Sequence, residues 1–351
     1  MSGHSLENLA SFVRDLDSAC SALMIEGKNL FAGSHEGVLR CWDSATGDLR
    51  WSVEVAGPIS GFAVDNNRVY TTASDSLHAI DMSSGELLWS RELEGGSDYV
   101  KASNGFVWAT SSVYELEVAD FIEATIWRFN ENGDELERWI IAERPWYFDL
   151  HKDGGALLGL GRPRCGYLKI QPGEKPSHHQ LQTESPVTSG CRSSEDCFLL
   201  GHADGTISSI GSDILSDSDS NSLVTDIASL DLELISGHDD GSIRMNGTQH
   251  QILGSIDSVT LLDKDGWASS WNGSDTQITI LGDTTNTISH NARIRQMHSS
   301  DERLVIGDEL GRLFFLEAEI VKRRRSEIGE LDDDENKNSE IRARLRMLRN
   351  R

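Results

Sequence analysis

At 351 residues the chain exceeds the roughly 250–300 over which a single hydrophobic core keeps growing, so it holds two domains or one architecture of many small cores. Apolar runs are only a few residues long, against the roughly 18 that a membrane span requires, and MSGHSLENLASFVRDLDS lacks the basic start, apolar block and small-residue cleavage site of a secretory signal. The net charge of −25 is uneven: residues 321–351 hold ten Lys/Arg and seven Asp/Glu, a net of +3, which leaves −28 on residues 1–320, a surface that repels phosphates and is no nucleic-acid platform.

In chain order, the first candidate element is apolar NLASFVRDL. The last repeat of the chain, ending at FFLEAEI, lacks an outer strand, and an edge left open there would invite aggregation. Residues 6–16 are therefore expected to pair with residues 310–319.

The first full unit then reads as four short strands, ALMIEG, NLFAGS, GVLRCWD and DLRWSVEV. Within it, CWDSATGDLRW at 41–51 repeats as AIDMSSGELLW at 79–89, so that Asp43, Gly47 and Trp51 map onto Asp81, Gly85 and Trp89. Asp and Gly make a tight turn, and the Trp on the following strand is an apolar anchor against a neighbouring sheet. FNENGDELERW at 129–139 repeats the theme with Gly133 and Trp139 at altered spacing. ERPWYFDL at 143–150 gathers Arg144, Trp146, Tyr147 and Phe148 where the next unit's first strand should begin. Packing between units is the preferred reading there, and a partner hot spot the other. His178 and His179, in QPGEKPSHHQ, read as a solvated loop.

A second marker recurs as LFAGSHEG, LLGHADG, LISGHDDG and LVIGDELG, with Gly33/Gly37, Gly201/Gly205, Gly237/Gly241 and Gly307/Gly311 at G-x-x-x-G spacing. Taken as a phase marker, this hairpin falls near residues 33, 72, 109, 159, 201, 237, 268 and 307, a mean period of about 39. Four strands per roughly 40 residues is the period of a propeller blade. The expected fold is an all-β propeller of eight four-stranded blades over residues 1–320, with seven as the alternative count. Five scattered cysteines, Cys20, Cys41, Cys165, Cys191 and Cys197, without C-x-x-C spacing suit unpaired thiols in a reducing cytoplasm.

Three constellations invite a chemical reading. His202 and His238 occupy one place in adjacent units, with Asp204, Asp239 and Asp240 nearby. A metal site is conceivable, but turn formation with His capping backbone groups is preferred. SDSDSNSLVTD at 216–226 sets Asp217, Asp219 and Asn221 at alternate positions like a calcium loop, yet Ser222 replaces the required Gly and Ala228 the terminal Glu, so it reads as a polar linker. No phosphate-binding G-x-x-x-x-G-K-[ST] or G-x-S-x-G nucleophile elbow occurs.

Residues 321–351 form a charged tail: VKRRR, an acidic linker, then SEIRARLRMLRNR. Ser339 can cap a short helix whose Ile341, Leu345 and Leu348 share a stripe, with Arg342, Arg344, Arg346 and Arg349 around it. The tail reads as disordered, as a partner-docking helix contacting through Ile341, Arg342, Arg344, Leu345, Arg346 and Leu348, or as a segment that returns onto the acidic body of this or another subunit. Weak nucleic-acid contact is conceivable for this tail alone.

The unit LFAGSHEGVLRCWDSATGDLRW resembles the repeats of WD-repeat and PQQ-like propellers. Asp43-Thr46-Gly47-Trp51 and Asp81-Ser84-Gly85-Trp89 are similar to the tryptophan-docking motif of the PQQ-like group, and Cys41-Trp42-Asp43 to the end of a WD strand. The resemblance is sharp over residues 19–93, recognisable over 195–245 and 300–316, and faint between. Gly201-His202 and Gly237-His238 lie on the middle hairpin rather than at the blade entry, so they are not WD signatures. Quinoprotein dehydrogenases share the repeat, and the resemblance ties their cofactor to a vicinal cysteine pair and a calcium site; this sequence has no adjacent cysteines. The function expected is therefore a non-catalytic cytoplasmic scaffold that binds protein partners and holds no cofactor. The alternative is an enzyme or small-molecule sensor using the central channel.

Overall fold

The computed structural model describes residues 5–194, 196–210, 214–216, 221–231, 233–300 and 302–327. They form eight four-stranded antiparallel sheets arranged as a β-propeller. Blades 1 to 7 occupy residues 20–54, 59–92, 96–141, 145–179, 187–216, 224–251 and 256–290, and blade 8 joins residues 294–317 to the strand Phe12–Asp15. Within a blade the strands follow chain order, and the first strands of neighbouring blades pack side by side around the ring. Every position of the glycine-hairpin marker falls on a second strand, from Asn29–Ser34 in blade 1 to Arg303–Asp308 in blade 8. Eight is thus the blade count.

The core is divided as the chain length requires. Eight apolar clusters each fill one boundary between blades: Phe31, Leu39 and Trp51 of blade 1, for example, pack with Ile59, Val69 and Ile80 of blade 2. Trp267, Ile278 and Ile280 of blade 7 likewise meet Ile294, Leu304 and Phe314 of blade 8. The last boundary joins Val305, Leu313 and Phe315 of blade 8 to Cys20, Ile25 and Leu30 of blade 1, so the ring is closed by burial as well as by pairing.

The N-terminal strand closes blade 8 over a shorter span than expected. Phe12 pairs with Phe315 and Asp15 with Arg312, whereas Leu6–Leu9 form one helical turn whose Asn8 N–H is capped by the Ser5 hydroxyl at 3.3 Å. Leu6 and Leu9, three apart, fall on one side of that turn and bury together against Leu316 and Val321. The VKRRR segment also differs from the reading that assigned it to the tail. Residues 318–327 are helical, Val321 is buried, Arg324 Nη1 donates to Ala10 O at 2.5 Å, and Arg325 pairs with Asp265 at 2.5 Å. Both helices lie on the face formed by the first-to-second and third-to-fourth strand turns, against blades 7 and 8. His178 and His179 belong to the short outer strand of blade 4, Ser177–His179, rather than to a loop; both are exposed, and the His179 ring stacks on Tyr167 at 4.9 Å. Ile341, Arg342, Arg344, Leu345, Arg346 and Leu348 lie outside the described residues, as do Asp217 and Asp219.

Candidate interaction surface

The repeat motif builds the joints between blades 1 and 2, 2 and 3, and 3 and 4. Asp43 Oδ1 accepts the N–H groups of Ala45 and Thr46 at 2.9 and 3.1 Å, and Gly47 N–H returns to Asp43 O at 2.8 Å. Its hydrogen bond with Arg50 and those backbone donors hold the Asp43 carboxyl down at about 2. Asp81 sits in the same turn one blade on, lowered to about 2 by the Ser83 hydroxyl and the amides of Ser83 and Ser84. From each following strand a Trp reaches the next blade's turn: Trp51 Nε1 donates to Met82 O at 2.8 Å, Trp89 to Glu131 O at 3.0 Å and Trp139 to Glu174 O at 2.9 Å. Blade 8 has no such Trp on its outer strand. There Phe12 and Arg14 take the places that Trp89 and Arg91 hold in blade 2, and Arg14 Nε donates to Gly47 O at 2.5 Å as Arg91 Nε does to Gly133 O at 2.6 Å.

The glycines of the second marker divide the labour. A Cβ on Gly33 would stand 2.6 Å from Ile59 Cγ2, and one on Gly201 2.5 Å from Val224 Cγ1, so the first glycine lets the next blade's inner strand approach. Gly237 meets Ile256 in the same way. The second, at Gly205 and Gly241, takes the positive φ of a tight turn, +84° and +83°. His202 and His238 cap that arrangement. Their Nδ1 atoms lie 3.1 Å from Ser185 O and Ser222 O, and their Nε2 atoms 2.9 and 3.1 Å from the hydroxyls of Ser208 and Ser236. Burial lowers the pKa of both rings. Among the described residues no cluster of three His, Cys, Asp or Glu side chains is placed to hold a metal.

Polar side chains line the inner strands, and most are spent on the neighbouring blade. Arg192 of blade 5 binds Asp149 of blade 4 at 2.8 Å, Arg293 binds Asp257 at 2.6 Å, and half-buried Asp226 accepts from Ser258 Oγ and Val259 N–H at 3.0 and 2.8 Å. Ser193 meets Ser229, and Thr260 meets Ser299, at 2.9 and 2.8 Å. These groups bond blade to blade around the ring.

Blade 3 departs from its neighbours on the opposite face. Its second and third strands, Phe106–Glu115 and Asp120–Asn130, are ten and eleven residues long, against six each for the corresponding strands of blade 1. Pairing with the inner strand stops at Ser112, and pairing with the outer strand at Ala124. Residues 113–123 therefore continue as a two-stranded ribbon beyond the rest of the blade. Tyr114, Leu116, Val118 and Ile122 on it are exposed, Leu116 by 83%, and Ile140 and Trp146 beside its base are exposed too. Six of the fourteen large hydrophobic side chains exposed among the described residues thus gather at one place. The same ribbon carries four carboxylates, Glu115, Glu117, Asp120 and Glu123, with Glu115 paired across from Asp120.

The ribbon is braced at its base. Tyr114 and Phe121 meet edge to face at 5.1 Å, and the Arg144 guanidinium lies 4.4 Å from the Phe121 ring and 5.1 Å from that of Trp146. Arg144 is held in turn by Asp98 at 2.6 Å. Burial pushes the Asp98 carboxyl up, against the opposing pull of the Ser112 hydroxyl and Arg144. Of the cluster expected to pack between blades, Tyr147 and Phe148 do so, while Trp146 turns outward. Sequence reasoning missed the ribbon, although its signal was present. The marker spacing is longest, at 50 residues, between positions 109 and 159, and YELEV alternates as an exposed strand does.

The profile of the family described as outer membrane protein assembly factor BamB matches residues 12–114 and 35–139. No curated protein matches the chain significantly. Among solved structures, Sqt1 of Saccharomyces cerevisiae superposes with a TM-score of 0.69 at 11% identity, over 88% of this chain and 99% of that one. BamB from Moraxella catarrhalis does so at 0.68 and 14%, again over 88% and 99%. The computationally designed Ika8 protein superposes at 0.69 and 18%, over 87% and 98%. The WD40 repeats of RRP9 align at 0.55 and 12% identity, over 77% and 91%. The class is set by these likenesses together with the docking turns and blade count. The chain is an eight-bladed β-propeller whose fold is similar to that of WD-repeat and PQQ-like propellers.

Proposed function

We propose that this propeller is a non-catalytic scaffold of the cytoplasm that binds protein partners on the face carrying the blade 3 ribbon. The observation that supports this reading is the ribbon itself. A stable fold gains nothing by extending two strands past their neighbours and clothing them with Tyr114, Leu116, Val118 and Ile122, whereas a contact surface needs such a projecting apolar patch with a polar rim. Similarity to WD40-repeat propellers adds support, because rigid blades hold loops of differing length on one plane. Five free thiols agree with a reducing compartment. The reading that uses the central channel draws less support, since several of the charged groups on the inner strands are engaged between blades.

The test is affinity capture with mass spectrometry, comparing the full chain with a Leu116→Asp/Val118→Asp variant and, as a control on the rim, Leu49→Asp. Partners lost with the ribbon variant and kept by the rim variant support the reading. Partners kept by both overturn it.

A further inference from the structure

We infer that the ribbon of blade 3 receives the basic C-terminal segment of a second copy, residues 339–351, so that two copies exchange tails. The inference rests on the ribbon being a contact surface and names its occupant.

The chemistry of the two pieces is complementary. Residues 113–123 present Tyr114, Leu116, Val118 and Ile122 with four carboxylates and no Lys or Arg. Residues 339–351 hold Ile341, Leu345 and Leu348 at the spacing of one helical stripe, together with five arginines and a single carboxylate side chain, Glu340. Apolar area would be buried while the carboxylates meet arginines, which supply directed, charge-assisted hydrogen bonds. Against a body of net charge −28, a segment of this composition is attracted to the acidic ribbon rather than repelled by it.

Chain geometry sets the contact between copies rather than within one. The helix over 318–327 is fastened to blades 7 and 8 by Val321, Arg324 and Arg325, on the face opposite the ribbon. Blade 3 stands across the ring from blade 7. From residue 327 to Ile341 the chain reaches at most about 50 Å fully extended. Within one copy it would have to leave one face, round the rim and cross half the ring. Between two copies the exchange is reciprocal and closes as a dimer, with one tail seated on each ribbon.

The experiment is light scattering and sedimentation of the full chain over a wide concentration range, beside two variants, a 1–338 truncation and Leu116→Asp/Val118→Asp. Thermal melts show whether the variants fold, which the exposure of Leu116 and Val118 favours. The expected result is a dimer of the full chain, weakened about tenfold or more in either variant and weakened by salt, because the charge contacts are screened. Mixing the truncated and ribbon-substituted proteins should restore a heterodimer, since one supplies the intact ribbon and the other the tail. A full chain that stays monomeric overturns the inference, as does a dimer that survives both changes. If the chain is monomeric and ribbon substitution still releases captured partners, the exchange falls and the contact surface stands.

Discussion

Trp51 of blade 1 lies flat against Gly85 of blade 2: a Cβ on that glycine would stand 2.8 Å from the indole, whose Nε1 donates to Met82 O at 2.8 Å. One side chain therefore joins two blades by area and by direction. Trp51→Ala empties a buried site and should cost about 3–5 kcal/mol, while Trp51→Phe keeps most of the area and loses the hydrogen bond, for about 1 kcal/mol. Denaturant melts of the two variants check this. Equal losses would mean that the indole N–H, not the burial, carries the joint.

Gly33 makes the complementary prediction on the inner side of the same boundary. Its backbone has an ordinary φ, so Gly33→Ala adds no conformational strain, yet the new methyl would collide with Ile59 at 2.6 Å. Overpacking of this kind costs about 1–3 kcal/mol. Ile59→Ala removes Cγ2 and Cδ1, the atoms at 2.6 and 3.0 Å, so the double variant Gly33→Ala/Ile59→Ala should lose less stability than the sum of the two single changes. Additive losses would show that the contact is not what limits the site.

Much of this was legible in the sequence because repeats report on physics that recurs. Asp43 and Asp81, Gly33 and Gly201 solve the same two problems in different blades, a tight turn and a close approach, and the repetition exposed both the period and the blade count. What recurs once is not legible that way. Leu6 and Leu9 read as strand because an apolar stretch is short of period, and their helical turn is set by a pocket that only the assembled blades 7 and 8 provide. Arg324 and Arg325 read as tail because charge suggests solvent, yet their acceptors, Ala10 O and Asp265, are remote in sequence. Trp146 groups with Tyr147 and Phe148 by composition, but the register of the strand shifts between Pro145 and Tyr147, and the unpaired Trp146 turns outward there.

His298, on the inner strand of blade 8, accepts the Ile25 N–H through Nδ1 at 3.3 Å. Burial, with the positive charge of Lys101 second, pulls its pKa from the usual value down to about 4. Between pH of about 6.5 and about 4 the unfolded chain then binds a proton that the folded chain refuses, so stability falls as pH falls through that window. The span bounds the loss at about 3 kcal/mol for this group, and the lowered His202 and His238 act in the same direction. His298→Asn keeps an acceptor and cannot titrate. Its melting temperature should drop less than the parent's between pH 7 and pH 5. Parallel drops in the two proteins would remove His298 from the account.

The ribbon depends on Arg144, which links Asp98 to the rings of Phe121 and Trp146. Removing the guanidinium leaves Asp98 buried without its countercharge and takes the stacking surface from both rings. Because Arg144 is partly open to solvent, the global cost of Arg144→Ala should stay near about 1–3 kcal/mol. The local effect is expected to be larger than the global one suggests. Residues 113–123 have no strand beside them past Ser112 and Ala124, so their amides rely on the two-stranded ladder alone. A two-stranded ladder is marginal in water without packing against something else. Hydrogen exchange should therefore quicken over residues 113–123 in Arg144→Ala while the inner strand of blade 1, Cys20–Glu26, keeps its protection. Arg144→Lys retains the charge near Asp98 and gives up the planar stacking, so it should preserve most of the melting temperature and little of the ribbon's protection. Protection retained in both variants would show that the ribbon's own Tyr114–Phe121 contact is enough to hold it.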